Sequence, residues 1–170
     1  MERIYLPRTV TTIEQEAFYD CVSLKTIDIP SGVKTIQDST FSGCTRLTDV
    51  GFSSGLQSIG ERAFADCESL EVLSLSSSVT KIGAEAFMNC NSLRVADLST
   101  GLTSMGAYAF QDCISLEDIT IPASLTEIPS GAFYNCDGIE TVTVKPGVQR
   151  IMAGAFENCS NLNKIAIPRT

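Results

Sequence analysis

Histidine and tryptophan are absent from the 170 residues, and 12 basic side chains stand against 20 acidic ones. Without histidine the commonest general base is missing, and neither a Ser-His-Asp nor a Cys-His arrangement can be assembled. Gly-x-Gly-x-x-Gly, the Walker loop and the calcium-loop pattern are missing too. The formal net charge of -8 repels phosphate backbones and anionic headgroups, which argues against nucleic acid and anionic membranes as partners. Nothing approaches the roughly 18 consecutive apolar residues of a membrane span. Met1-Glu2-Arg3-Ile4 runs directly into patterned sequence with no hydrophobic leader segment, so no membrane insertion is expected of these residues. What is present suffices for one domain with a sizeable core, at 44% apolar and 19% charged residues.

The pattern is a period. Phenylalanine recurs 23 residues apart at Phe18, Phe41, Phe64, Phe87, Phe110, Phe133 and Phe156, leaving one of eight out of phase. All seven cysteines keep the same step three residues later, at Cys21, Cys44, Cys67, Cys90, Cys113, Cys136 and Cys159. Leu24 and its equivalents follow, then two apolar columns beginning at Ile27 and Ile29, then a pair beginning at Val33 and Ile36.

Each column has a physical reading. Ile27 and Ile29 point one way and Thr26 and Asp28 the other, the period-2 signature of a short strand with one buried face. One strand per unit stacks into a parallel sheet. Pro30, Pro122 and Pro168, with Ser31-Gly32, Ser54-Gly55 and Pro146-Gly147, turn the chain. Val33-x-x-Ile36 supplies a second buried edge, read as a very short extended segment, and Gly60, Gly83 and Gly106 follow its equivalents, where backbone bends or approaches its neighbour. Ala17-Phe18-x-x-Cys21-x-x-Leu24 repeats its apolar positions every three residues, which predicts a 3₁₀ or single helical turn. Before each cysteine stands Asp, Asn or Gly, types that tolerate left-handed backbone. The expected architecture is a solenoid of about seven 23-residue repeats, with the parallel sheet on one face and the short turns and extended segments on the other. Each unit hides its apolar edge only by stacking on its neighbours.

Seven equivalent thiols invite sharper chemistry. Stacked residues at one phase lie about 4.8 Å apart with parallel Cβ vectors, whereas a disulfide brings Cβ atoms to about 3.8 Å. The odd count also disfavours a disulfide framework. Zinc sites use close Cys pairs or histidines, and here no two cysteines are nearer than 23 residues. The plain reading is a small buried hydrophobe whose weak S–H donor leans on backbone carbonyls. Paired carboxylates lack a cleft on a single curved ribbon, so no catalytic, metal or cofactor site is assigned. Asn158-Cys159-Ser160 matches a glycosylation acceptor, but it contains a column cysteine expected to be buried.

The string Ile82-Gly83-x-x-Ala86-Phe87-x-x-Cys90-x-x-Leu93, with Ile119-x-Ile121-Pro122, resembles the BspA-like class of leucine-rich repeats across essentially the whole chain. The resemblance implies a surface or secreted, non-enzymatic repeat protein that adheres to host or matrix proteins or to other microbes. It carries no fixed ligand-binding motif. Departures are mild: Thr40 replaces Ala before Phe41, Pro129 and Met152 replace Gly, and Ala96 replaces a large strand residue, which predicts a locally thinner core.

Solenoids commonly bind on the solvent face of the strands. One row there runs Arg3, Thr26, Asp49, Val72, Val95, Asp118, Thr141, Lys164; its neighbour runs Tyr5, Asp28, Gly51, Ser74, Asp97, Thr120, Thr143, Ala166. The candidate partner-binding residues are Tyr5, Asp28, Asp49, Val72, Ser74, Val95, Asp97, Asp118 and Thr120, an apolar strip rimmed by carboxylates and suited to a basic or extended protein segment. An idle solvated sheet would show the same Asp, Ser and Thr, and the central rows lack the Trp, Tyr and Arg of typical hot spots. The function expected is a non-catalytic protein-recognition or adhesion module at the cell surface or secreted. The alternative is a structural spacer or self-associating segment.

Ile4-Tyr5-Leu6-Pro7-Arg8-Thr9 and Ile165-Ala166-Ile167-Pro168-Arg169-Thr170 occupy the same phase of the unit, and neither has the polar character of a capping repeat. Residues 1–170 are therefore expected to be a single domain, a fragment of a longer array or a unit whose ends pack on other copies.

Overall fold

A computed structural model describes residues 2–167; Pro168 and the turn expected there lie outside them. The chain winds in 23-residue coils, and the six from Thr26 onward each carry a front strand and a shorter back strand. The front strands are β1 (Arg3–Ile4), β2 (Thr26–Asp28), β4 (Asp49–Gly51), β6 (Val72–Ser74), β8 (Val95–Asp97), β10 (Ile119–Ile121), β12 (Thr141–Val144) and β14 (Lys164–Ala166). The back strands are β3 (Thr35–Ile36), β5 (Ser58–Ile59), β7 (Lys81–Ile82), β9 (Ser104–Met105), β11 (Glu127–Ile128) and β13 (Arg150–Ile151). All pairing is parallel and offset by 23 residues, as in Ile27 against Val50 and Ile59 against Ile82.

Between the two strand families lies one continuous core. The in-phase phenylalanines form a single file of near-parallel rings from Phe18 to Phe156, with successive centroids 5.1–5.4 Å apart. Phe41, Phe64, Phe87, Phe110 and Phe133 are fully buried, whereas Phe18 and Phe156 at the two ends of the file are half-buried. The out-of-phase Phe52 occupies the strand column that begins at Ile29 and sets its ring edge-on to Phe64 at 5.7 Å.

The 3₁₀ or single helical turns expected after the back strands are not formed among the described residues, which contain turns and no helix. The reason is visible in the middle unit. The amides of Met88, Cys90 and Leu93 close three-residue turns onto Glu85, Phe87 and Cys90. Those of Glu85, Phe87 and Asn89 instead reach into the next coil, to the carbonyls of Ala107, Ala109 and Gln111. A helix would need every one of these amides for itself. Glu85 and Asn89 also take left-handed backbone, at φ of 53° and 59°, and their equivalents repeat this in every unit. Two left-handed residues per segment stop helical propagation, and the freed amides stitch the coils together.

The glycine reading holds where coils come closest. A Cβ on Gly83 would stand 2.4 Å from the carbonyl carbon of Gly60, so the backbones themselves are in contact there.

Candidate binding face

Strand alternation puts all nine candidate residues on the outside. Tyr5, Asp28, Asp49, Val72, Ser74, Val95, Asp97, Asp118 and Thr120 are each exposed, while Ile27, Leu73, Ile119 and Ile121 between them are buried. Val72 and Val95 are 50% and 42% accessible and lie opposite one another in register, as do Ser74 and Asp97.

The front sheet is not one continuous ladder. Its hydrogen bonding lapses between β4 and β6 and again between β8 and β10, leaving groups β1-β2-β4, β6-β8 and β10-β12-β14. Both lapses coincide with a change of volume under the sheet: Phe52 is larger than its column neighbours, and Ala96 is smaller than Leu73 and Ile119 on either side. Asp49 is therefore not paired with Val72, nor Asp118 with Val95.

At the second lapse the surface sinks into a depression of about 270 Å³. Val95, Ala96, Leu98 and Pro122 supply its apolar walls; Asp97, Asp118, Thr120 and Lys145 supply polar groups. The structure thus gathers Val72, Ser74, Val95, Asp97, Asp118 and Thr120 into one region. Leu98, Pro122 and Lys145 belong to the same region and were missed in the sequence rows, because they sit past the strand where period-2 alternation no longer indicates facing. The small residue at Ala96 was the available signal.

Tyr5 and Asp28 form a separate group at the amino-terminal end. The Arg3 guanidinium lies 4.8 Å from the Tyr5 ring centroid and 3.5 Å from the Asp28 carboxylate. These groups are exposed and solvent-screened, so the pair contributes little to stability. Beside the central strip, Arg94 meets Glu71 at 3.1 Å. By contrast, Asp49, Asp97 and Asp118 make no ion pair among the described residues.

The cysteine column runs inside the coils, away from this face. Six thiols donate to the carbonyl of the phenylalanine 26 residues earlier, as in Cys67 to Phe41 at 3.2 Å and Cys136 to Phe110 at 3.0 Å. All seven are free. Burial pushes the Cys44 thiol up to about 12 and raises Cys67, Cys90, Cys113 and Cys136 as well. A reactive cysteine needs the opposite shift. No cluster of three or more His, Cys, Asp or Glu suited to a metal occurs among the described residues, and they contain no helix long and apolar enough to cross a membrane.

A family profile described as the BspA type leucine-rich repeat region matches residues 1–94 and 81–170. The chain belongs to the BspA-type leucine-rich repeat family. Solved relatives agree. A leucine-rich repeat protein of T. pallidum superposes with a TM-score of 0.86 at 29% identity, over 95% of this chain and 78% of its own. One from Bacteroides ovatus gives a TM-score of 0.89 at 26% identity, over 98% of this chain and 46% of its own. A leucine-rich cell surface protein of Faecalibacterium prausnitzii gives 0.56 at 25% identity, over 89% and 62%. The chain thus spans less than half of the Bacteroides relative. No curated protein matches it. This BspA-type solenoid is of a non-catalytic kind.

Proposed function

We propose that this BspA-type domain recognises proteins through its front sheet, as an adhesion module of a surface or secreted protein. The observation that carries the reading is the exposed pair Val72 and Val95 in register on β6 and β8, bordered by Asp97 and Asp118. Exposed valines beside unpaired carboxylates offer apolar contact with an acidic rim, the inverse of a basic, extended protein segment. A surface location is supported by the Faecalibacterium relative, which is a cell surface protein. Host or matrix proteins are the partners this reading favours.

The experiment is surface-immobilised binding of purified matrix and serum proteins to the 170-residue chain and to the double variant Val72→Arg, Asp97→Lys. Capture of at least one protein by the parent and its loss in the variant is expected. Equal capture by a variant with native circular dichroism overturns the front-face assignment.

A further inference from the structure

Resting on that reading, we infer that the depression between β8 and β10 is a socket for one arginine or lysine side chain of the protein partner. At about 270 Å³ it falls below the roughly 300–1,000 Å³ of small-molecule sites, a size suited to a single long side chain. Its walls suit the two halves of a basic residue. Val95, Leu98 and Pro122 offer apolar surface to the aliphatic stem, and Asp97 and Asp118 offer carboxylates to the cationic head.

The charge is open to such a ligand. Asp97 and Asp118 are exposed and have no ion-pair partner among the described residues. Lys145 is the one cation in the lining; against two carboxylates it leaves a net negative socket and competes with an incoming cation for them. The socket coincides with one departure in the repeat. Ala96 sits where Leu73 and Ile119 stand in the adjoining coils, and strand pairing lapses there.

The test uses the intact chain and a five-residue peptide with a central arginine, compared with the same peptide carrying citrulline, which preserves shape and removes charge. Amide chemical shifts are followed by titration at low salt. The arginine peptide is expected to move the amides of Val95, Asp97, Leu98 and Thr120 and to bind at least fivefold more tightly than the citrulline peptide. Asp97→Asn with Asp118→Asn should abolish that difference, and Lys145→Ala should tighten binding about twofold or more. Shifts mapping elsewhere, equal binding of the two peptides, or an unchanged preference in the double Asn variant overturn the socket. If the socket fails while Val72→Arg with Asp97→Lys still abolishes protein capture, the front face stands and only its chemistry falls. Selective arginine binding without any matrix-protein capture leaves the socket and removes the adhesion reading.

Discussion

The Sγ of Cys90 donates to the carbonyl oxygen of Phe64, 26 residues earlier, at 3.3 Å. That carbonyl already accepts the amide of Cys67 at 3.2 Å, so the thiol fills its second lone pair inside the core. The relationship recurs coil after coil and explains why this phase holds a small side chain that can also donate a hydrogen bond.

Replacing Cys90 with valine removes the donor and adds roughly one methyl group of volume. The expected loss is about 1 kcal/mol, since Phe64 retains one hydrogen bond. Cys90→Ser should retain the bond yet bury a more polar group. Urea denaturation of both variants checks the ranking: a valine variant as stable as the parent would show that the thiol contributes packing alone.

The raised thiols make stability fall in alkali. Their neutral form is favoured in the fold, so this contribution is complete below the unfolded thiol value near 8.5 and is lost as pH climbs toward the folded value, about 12 for Cys44. At pH 10 the Cys44 thiol costs about 1.5–2 kcal/mol, and the other raised thiols act in the same direction. Under reducing conditions the urea midpoint should hold from pH 6 to 8 and drop steeply between 9 and 10, less steeply in Cys113→Ala. A flat profile through pH 10 would contradict the burial of the column.

Thiol reactivity gives an independent count. Cys21 and Cys159 are half-buried and the other five are buried. At pH 8 a disulfide reagent should label at most two thiols of the folded chain rapidly and all seven in denaturant. Prompt labelling of four or more in native conditions would mean that the coils open readily.

Phe87 sits in the middle of the ring file, 5.3 Å from Phe64 and 5.2 Å from Phe110. Phe87→Ala should cost about 3–5 kcal/mol through lost transfer energy and an incompletely collapsed cavity. A calorimetric or denaturant measurement below 1 kcal/mol would remove the file from the core.

Two glycines separate backbone obstruction from side-chain obstruction. A Cβ on Gly131 would strike the Tyr108 ring at 2.1 Å from a backbone at φ +60, whereas one on Gly83 would strike the carbonyl carbon of Gly60. The tyrosine is 41% exposed and can swing away; the Gly60 backbone is held in the stack. Gly83→Ala should therefore lower the melting temperature more than Gly131→Ala, which carries about 1 kcal/mol of left-handed strain. The reverse order would show that coil spacing is more yielding than the close backbone approach indicates.

The columns Phe18 to Phe156 and Cys21 to Cys159 made the stacking legible, because a unit too short to bury its own apolar edge has to repeat it in phase with its neighbours. The front strands followed from the alternation at Thr26–Asp28, which burial at Ile27 and exposure at Asp28 match. The turns were not legible in this way. Three-residue apolar spacing at Phe18, Cys21 and Leu24 is common to a helical turn and to a chain of bends, and which one forms depends on where the intervening amides find carbonyls. The left-handed residues at Glu16, Arg62, Glu85 and Tyr108 belong to types that give no sign of that backbone.

Sequence alone determined the 23-residue coil, its buried columns and the outward placement of Val72 and Val95, since these depend on local alternation and on a repeated need for burial. Tertiary structure decided the rest. Amides given up to the next coil replaced helical turns with bends, and the unequal volumes of Phe52 and Ala96 coincide with the breaks that divide the front sheet into three groups. The depression at Asp97 and Asp118 is visible only in the tertiary structure, because its walls come from adjoining coils, a relation between residues about 23 apart rather than a property of any one of them.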